Sequence, residues 1–319
     1  MTTEMFDIII PVACPDEKLG EALSMLEIQT AKPAAVILME TVPEVTGENA
    51  EGSAELKKLA KEKLPGIAFI IRAVSRKDFD HASTRREAVR LSRSPVFLMM
   101  TQDAVPENRE LCKALLEAVG GGAAMAYARQ VAGKDAGDIE KVTREFNYPA
   151  AARIKTKDDI PSLGIKAFFA SNVCCAYSRE TYDALGGFPD HAIFNEDMIY
   201  ARKVLDAGKK IAYVPEALCR HSHNYSARQQ FQRNFDLGIS QADHPETFGG
   251  IRSEGEGVRL VLSTMKRVSP FSWPRLFVQS AAKYLGYRLG KGYRCLGMKT
   301  IRKCTSNPAY VDKYITEKK

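Results

Sequence analysis

Three short segments contain the side chains best suited to chemistry. Asp103 comes shortly after an apolar run, and Glu196 and Asp197 are adjacent. His221 and His223 alternate, so in an extended loop their side chains share a face. Carboxylates and neutral imidazoles are common ligands for divalent cations, and a carboxylate at a helix start can act as a base. These residue types predict a site that binds a metal ion and moves a proton.

Each segment also has a simpler structural interpretation. Asp103 and the Glu196–Asp197 pair are both placed to cap helices, and histidines in a polar loop can simply face solvent. The chain has 319 residues and five histidines, so a histidine pair behind a Glu-Asp helix start is uncommon by chance. The combination favours one site over three unrelated features.

Basic side chains at helical spacing suggest an anion partner for this site. Arg228 and Arg233 lie on one predicted helix, and His81 and Arg85 are four residues apart on another. Guanidinium groups bind diphosphate oxygens well, although a solvated helix face explains the same spacing.

Apolar runs and amphipathic segments alternate along the first 245 residues, which predicts an α/β fold with a mostly parallel sheet covered on both faces. We expect strands at 6–12, 34–39, 67–74, 96–100, 172–177 and 211–214, and helices at 81–91, 107–119, 179–185 and 195–207. Ligands of such sheets bind beyond the carboxyl ends of the strands, which here are residues 11–15, 40–45 and 102–106. Residues 130–165 are polar, and we expect them to be rich in loops.

The character of the chain changes near residue 245. From Ile251 onward there are 15 Lys and Arg against four Asp and Glu, a net charge of +11, whereas the whole chain carries +7. Amphipathic helices are expected at 258–268 and 274–289. We therefore predict two parts, a domain at 1–245 and a basic helical extension at 246–319 that contacts a membrane or another subunit.

Composition excludes several classes of protein. With 45% hydrophobic and 27% charged residues the chain is neither disordered nor fibrous, and no apolar run approaches the roughly 20 residues of a membrane-spanning helix. Residues 1–7 lack the features of a signal peptide, so we expect a cytoplasmic protein. Its seven scattered cysteines favour reduced thiols over disulfides or a zinc site.

The ordered motifs resemble glycosyltransferase family 2, in particular its bacterial rhamnosyltransferase branch. The likeness spans about residues 5–245, and it rests on many motifs in the same order. They include Ile8-Ile9-Ile10-Pro11-Val12, Phe79-Asp80-His81, Thr101-Gln102-Asp103, Tyr127-Ala128-Arg129-Gln130, Asn195-Glu196-Asp197, Tyr213-Val214-Pro215, His221-Ser222-His223 and Arg233-Asn234-Phe235-Asp236.

The resemblance implies a GT-A fold, which is a Rossmann-like domain that binds nucleotide sugars, and an inverting transfer from dTDP-L-rhamnose. It implies that Asp103 holds a divalent cation, Mn²⁺ or Mg²⁺, and that Asp197 is the catalytic base with Glu196 beside it. The metal's histidine ligand is His221 by spacing, with His223 as a donor contact or substitute ligand. The family's usual Asp-x-Asp is Gln102-Asp103 here. Expected donor-binding residues are Pro11, Val12, Glu40, His81, Arg85, Gln102, Asp103, Arg129, His223, Arg228 and Arg233.

The same resemblance suggests partners. A transferase that extends a lipid-linked glycan works at the inner face of the cell membrane, which the basic extension fits; homo-oligomerisation is a second use for those helices. Nucleic-acid binding is disfavoured, because no known motif accompanies the charge. Two alternatives stay open, namely another donor such as a UDP-hexose, or a non-catalytic module that binds sugar nucleotides or glycans.

Overall fold

A computed structural model describes residues 5–45, 50–251 and 254–316. The first four residues, on which part of the leader prediction rests, lie outside the described residues. The described chain forms a mixed α/β fold around a nine-stranded sheet. The strands are β1 (Phe6–Val12), β2 (Ala35–Val42), β3 (Ala68–Ser75), β4 (Val96–Met100), β5 (Val105–Pro106), β6 (Ala123–Val131), β7 (Arg153–Lys155), β8 (Cys174–Ser178) and β9 (Lys210–Arg220).

The sheet runs in the order β3-β2-β1-β4-β8-β6-β9-β5, and β7 also pairs with β9. The pairs among β3, β2, β1 and β4 are parallel, as is β6 with β9, whereas β8 runs antiparallel to both of its neighbours. The carboxyl ends of β1, β4, β6 and β9 therefore share one edge with the amino end of β8. This edge is where the predicted ligand site falls.

Apolar runs form the central strands because helices cover both faces of the sheet. Ile8, Ile9 and Ile10 are all fully buried, with alternate residues packed into different apolar clusters on opposite faces. The prediction of an α/β fold with a mostly parallel sheet is confirmed.

The α-helices flank this sheet or follow it. They are α1 (Glu17–Glu27), α2 (Ala54–Lys63), α3 (His81–Leu91), α4 (Leu111–Gly120), α5 (Asp138–Asn147), α6 (Ile160–Leu163), α7 (Arg179–Ala184), α8 (Glu196–Asp206), α9 (Ala227–Asp243), α10 (Pro245–Phe248), α11 (Glu254–Met265), α12 (Trp273–Lys291), α13 (Met298–Cys304) and α14 (Pro308–Tyr310). None of these helices combines the length and apolarity that crossing a bilayer requires.

Helix α12 packs closely along α9. A Cβ built on Gly286 would lie 2.2 Å from the Phe231 carbonyl oxygen, and one on Gly290 would lie 2.1 Å from that of Phe235. Only glycine allows two backbones to approach so closely. Helix α12 is thus anchored to α9. The predicted domain boundary at residue 245 stays a prediction.

Two expectations about local structure are wrong. The helix expected from residue 107 begins at Leu111, because Val105 and Pro106 instead pair with the end of β9. Residues 130–165 are not mainly loop, since α5 and β7 lie within them. In α5 the apolar residues Ile139, Val142 and Phe146 do recur at helical spacing, although only Val142 is buried, so the polar composition of the segment, and not a missing periodicity, led to the wrong expectation.

Candidate active site

A cleft of about 910 Å³ lies at the strand edge described above. It brings together residues that are far apart in the chain. Among its lining residues are nine of the predicted site residues: His81, Arg85, Gln102, Asp103, Glu196, Asp197, His221, His223 and Arg233. The cleft is thus lined by all three segments that contain the predicted metal ligands and base, and by basic residues of α3 and α9.

Asp103, His221 and His223 form a compact cluster, and their ligand atoms all lie within 4.8 Å of one another. The Asp103 Oδ2 atom is 3.4 Å from His221 Nε2 and 3.1 Å from His223 Nε2, and the two Nε2 atoms are 3.0 Å apart. Burial acts to raise the pKa of Asp103, but its hydrogen bonds to the two histidines outweigh burial and hold that pKa well below its usual range. One carboxylate and two imidazole nitrogens therefore face a common point.

The hydrogen bonds behind His221 fix the proton on its ring. His221 Nδ1 lies 3.0 Å from Gln130 Oε1, which also accepts a short hydrogen bond from Arg144 Nη1. Because Arg can only donate, the Gln130 atom is the amide oxygen, and Nδ1 of His221 must carry the hydrogen. Burial lowers the pKa of His221, which favours the neutral ring. In that neutral ring the lone pair is on Nε2, which faces Asp103, as a metal ligand requires, whereas the hydrogen bond from Nε2 to Asp103 needs the protonated ring.

Gln102 has a structural role beside this cluster. Its Oε1 accepts from the backbone N–H of Ala13 at 2.6 Å, and its Nε2 donates to the Cys14 carbonyl at 3.0 Å. The side chain thereby ties the loop after β1 to the loop that carries Asp103. An amide can make both contacts, whereas a second carboxylate could accept but not donate.

Asp197 lies in the first turn of α8 and lines the same cleft. Its Oδ2 accepts from the backbone N–H of Asn172 at 2.9 Å and its Oδ1 from that of Met198 at 2.7 Å. Burial, and then the negative charge of Glu196, raises the pKa of Asp197 to about 7. A carboxylate with such a pKa is matched to proton transfer near neutral pH.

Glu196 is fully engaged by its neighbours. Its Oε1 lies 3.2 Å from Arg85 Nη1 and accepts from Asn172 Nδ2 at 2.8 Å. Burial acts to raise its pKa, but the charges of Arg85 and His81 and the Asn172 hydrogen bond more than offset this, so its pKa is lowered. Burial, and then the charge of Arg85, lowers the pKa of His81 to about 4. Glu196 therefore stays ionised and raises the proton affinity of Asp197.

The other five predicted donor residues do not line this cleft. Val12 is fully buried in β1, Pro11 pairs with Met39, and Arg228 is exposed on α9. Both oxygens of Glu40 accept from Ser53 at 2.6 Å, and Arg129 Nε donates to the Tyr148 carbonyl at 3.1 Å. Their proposed donor contacts stay predictions.

Sequence reasoning gave no role to several residues that shape the site. Asn172 links Glu196 to Asp197, and Gln130 and Arg144 orient His221. Tyr225 stacks on His223 with ring centroids 4.6 Å apart and also receives the Arg233 guanidinium at 4.9 Å. Their positions depend on strand order, so the only available signal was their presence in motifs shared with the resembling family.

The fold is shared with known glycosyltransferases, although no family model matches the chain. A mannosyltransferase from Pyrobaculum calidifontis, in complex with GDP-Man and Mn²⁺, aligns over 99% of this chain and 87% of its own, with a TM-score of 0.56 and 16% identity. S. aureus TarS residues 1–349 in complex with UDP aligns over 91% of both chains, with a TM-score of 0.51 and 13% identity. These likenesses show that the chain has the GT-A fold.

Comparison with curated protein sequences identifies the family of this chain. The O-antigen chain rhamnosyltransferase WbaN of Salmonella anatum is 40% identical over 306 residues, which cover 93% of this chain and 92% of that protein. RfbN of Salmonella typhimurium, also an O-antigen chain rhamnosyltransferase, is 36% identical over 303 residues and 92% of both chains. The chain belongs to this family of glycosyltransferase family 2 rhamnosyltransferases, and the alternative of a non-catalytic binding module is not supported.

Proposed function

We propose that this enzyme transfers L-rhamnose from dTDP-L-rhamnose, with inversion, to a hydroxyl group of a lipid-linked cell-surface polysaccharide. The observation that carries the proposal is that a three-ligand metal cluster and a carboxylate with a pKa of about 7 line one cleft. The rhamnosyl group is supported by the relatives, and the single-base site fits a displacement without a covalent intermediate.

The residues present fit a divalent cation. The Asp103 carboxylate lies 3.4 Å from His221 Nε2 and 3.1 Å from His223 Nε2. The two Nε2 atoms lie 3.0 Å apart and face each other. We propose that these three side chains hold Mn²⁺ or Mg²⁺. The bound cation would supply a positive charge that stabilises the departing nucleoside diphosphate.

Asp197 is the proposed base. Its two backbone hydrogen bonds hold the carboxylate in place, and it accepts the proton of the acceptor hydroxyl as that oxygen attacks the anomeric carbon. Glu196 positions Arg85 and keeps the pKa of Asp197 high. Arg233, held over Tyr225 and Phe194, is a cation available to the donor diphosphate.

Thermal stability with a panel of sugar nucleotides tests the donor and the metal together. A ligand present at 100 times its dissociation constant stabilises the native state by about 2.7 kcal/mol. We expect a shift with dTDP-L-rhamnose that needs Mn²⁺ and disappears in Asp103→Asn. A shift with UDP-hexoses in place of dTDP-L-rhamnose would overturn the donor, and an equal shift in EDTA would overturn the metal site.

An exposed apolar surface supports contact with the inner face of the cell membrane, where a cytoplasmic enzyme meets a lipid-linked acceptor. Of the eleven large hydrophobic side chains that are exposed among the described residues, eight lie between 258 and 289. On α12 the set Phe277, Val278, Tyr284 and Leu285 shares one helix face, turned away from α9. The net charge of +11 beyond residue 250 complements anionic headgroups. We call Phe277, Val278, Tyr284 and Leu285 the apolar strip.

Sedimentation with vesicles containing anionic lipid tests the strip. We expect Leu285→Glu to lower the bound fraction, because a charge replaces an apolar side chain that is 54% exposed. Ile154→Glu is a matched control, since Ile154 is 56% exposed in β7. If the wild-type protein does not bind vesicles but forms a dimer that Leu285→Glu disrupts, the apolar strip instead serves homo-oligomerisation.

A further inference from the structure

A second cavity, of about 260 Å³, borders the active-site cleft. Its walls are the start of α5, the segment after β9 and one face of α12. His223 and Tyr225 line both this cavity and the cleft. A ligand in the second cavity would therefore lie next to the proposed metal site without occupying it.

Two cations on α12 face this cavity. Arg275, Gln279 and Lys283 follow one another at intervals of four residues, which places them on one side of the helix, and all three line the cavity. Gln279 Nε2 donates to the Tyr225 carbonyl at 3.2 Å and so fixes the helix against the active-site segment. Within the described ranges, neither Arg275 nor Lys283 has a carboxylate within 4 Å.

The Lys283 side chain is partly buried and this burial lowers the pKa of its ammonium group, whereas Arg275 is exposed. A partly desolvated cation without a close counterion is unfavourable, and an anionic partner in the cavity would offset this cost. The nearest acid in the wall, Glu140, is already paired with Arg144, whose Nε lies 2.7 Å from Glu140 Oε1. Asp138, the other acid in the wall, is exposed to solvent.

The start of α5 adds a favourable field to the same cavity. This ten-residue helix begins after Gly137, which cannot cap it with a side chain, and its first residues Asp138 and Ile139 line the cavity. The amino end of a helix carries partial positive charge from its unpaired N–H groups. The cavity is thus bordered by two cations and a helix amino terminus, and the acids of that first turn are the exposed Asp138 and the Arg144-paired Glu140.

We propose that this cavity binds a phosphate or diphosphate group of the acceptor substrate, separate from the donor diphosphate at the metal site. The acceptor is favoured as the source because α12 carries both the two cations and, on its outer face, the apolar strip. A diphosphate attached to a hydrocarbon chain presents both chemistries. The choice of acceptor rests on the proposed function, whereas anion binding in the cavity does not.

Calorimetry with inorganic pyrophosphate, in EDTA to suppress binding at the metal site, tests the cavity directly. Loss of a charge-assisted contact is expected to weaken binding about tenfold to a hundredfold in Lys283→Met. Arg275→Gln should weaken binding in the same direction, and Lys283→Arg should retain it. The matched control is Lys291→Met, at an exposed lysine of the same helix outside the cavity. Equal affinities in wild type and Lys283→Met, or no binding by wild type, would overturn the site.

A competition experiment distinguishes the two sources of phosphate. Pyrophosphate is titrated into enzyme saturated with dTDP and Mn²⁺. Binding that persists and still depends on Lys283 supports an acceptor subsite. Loss of pyrophosphate binding in the dTDP-saturated enzyme would show that the cavity belongs to the donor diphosphate and would overturn the acceptor assignment. A wrong donor would appear separately, as failure of dTDP to bind while pyrophosphate still binds in EDTA.

Discussion

The pKa of Asp197 should control the acid side of the pH–rate profile. Burial and the charge of Glu196 raise that pKa to about 7, and the base works only when it is ionised. At pH 5 about 1% of such a carboxylate is ionised, so the rate should be about 100-fold below its plateau. An Asp with the ordinary pKa of 3.8 would be almost fully ionised at pH 5, and the rate would hardly change.

Slow hydrolysis of dTDP-L-rhamnose provides the assay, because water can replace the unidentified acceptor at the same base. Released dTDP is measured from pH 5 to 9 at saturating Mn²⁺. Glu196→Gln removes the neighbouring negative charge but keeps a carbonyl that can accept from Arg85 and Asn172. Its acid limb should therefore move to lower pH, while thermal denaturation checks that the variant is folded.

Two results would refute this reasoning. An acid limb that stays in place in folded Glu196→Gln would assign the titration to another group, such as His221 or His223. A rate that is flat from pH 5 to 8 in the wild type would contradict the raised pKa itself. Asp197→Asn should lower the plateau rate by about 10² to 10⁴, which ties the profile to the base.

Further predictions concern the metal site and the helix packing. Gln130→Leu removes the oxygen that orients His221 and should weaken Mn²⁺ binding about tenfold to a hundredfold, measured by electron paramagnetic resonance, whereas Gln130→Glu should retain it. A Gln130→Leu protein with unchanged Mn²⁺ affinity would disprove this role. Gly290→Ala places a Cβ against the Phe235 carbonyl and should lower the free energy of unfolding by about 1–3 kcal/mol in denaturant titrations. Gly257→Ala in α11 meets nothing within 4 Å and should be neutral or stabilising, so equal losses in both variants would contradict the packing argument.

The parallel half of the sheet could be predicted because its strands are continuous apolar runs. Residues 6–12 and 96–100 are strands at the predicted bounds, and the rule for carboxyl ends placed Asp103 at the ligand edge. The same rule accounts for His221, which follows β9 and reaches Asp103 across more than a hundred residues of chain. Residue types at strand ends were therefore enough to predict the cluster of Asp103, His221 and His223.

The supporting contacts could not be predicted in this way. Gln130 bonds to His221 just after β9, and Asn172 bonds to residues at the start of α8, and no spacing rule reveals which side chain a buried amide will meet. Gln102 resembles a substituted metal ligand in sequence, yet it fastens the loop after β1. Such roles depend on the order of strands in the sheet, and short-range patterns carry little information about that order.

The most direct test of the central claim follows the anomeric configuration of the product. The enzyme is incubated with dTDP-L-rhamnose and Mn²⁺, and early product is observed by proton nuclear magnetic resonance before mutarotation. We expect dTDP together with rhamnose of the anomeric configuration opposite to that of the donor, with no turnover in EDTA and almost none in Asp197→Asn. Product that retains the donor configuration, or turnover of a UDP-hexose but not of dTDP-L-rhamnose, would contradict the account.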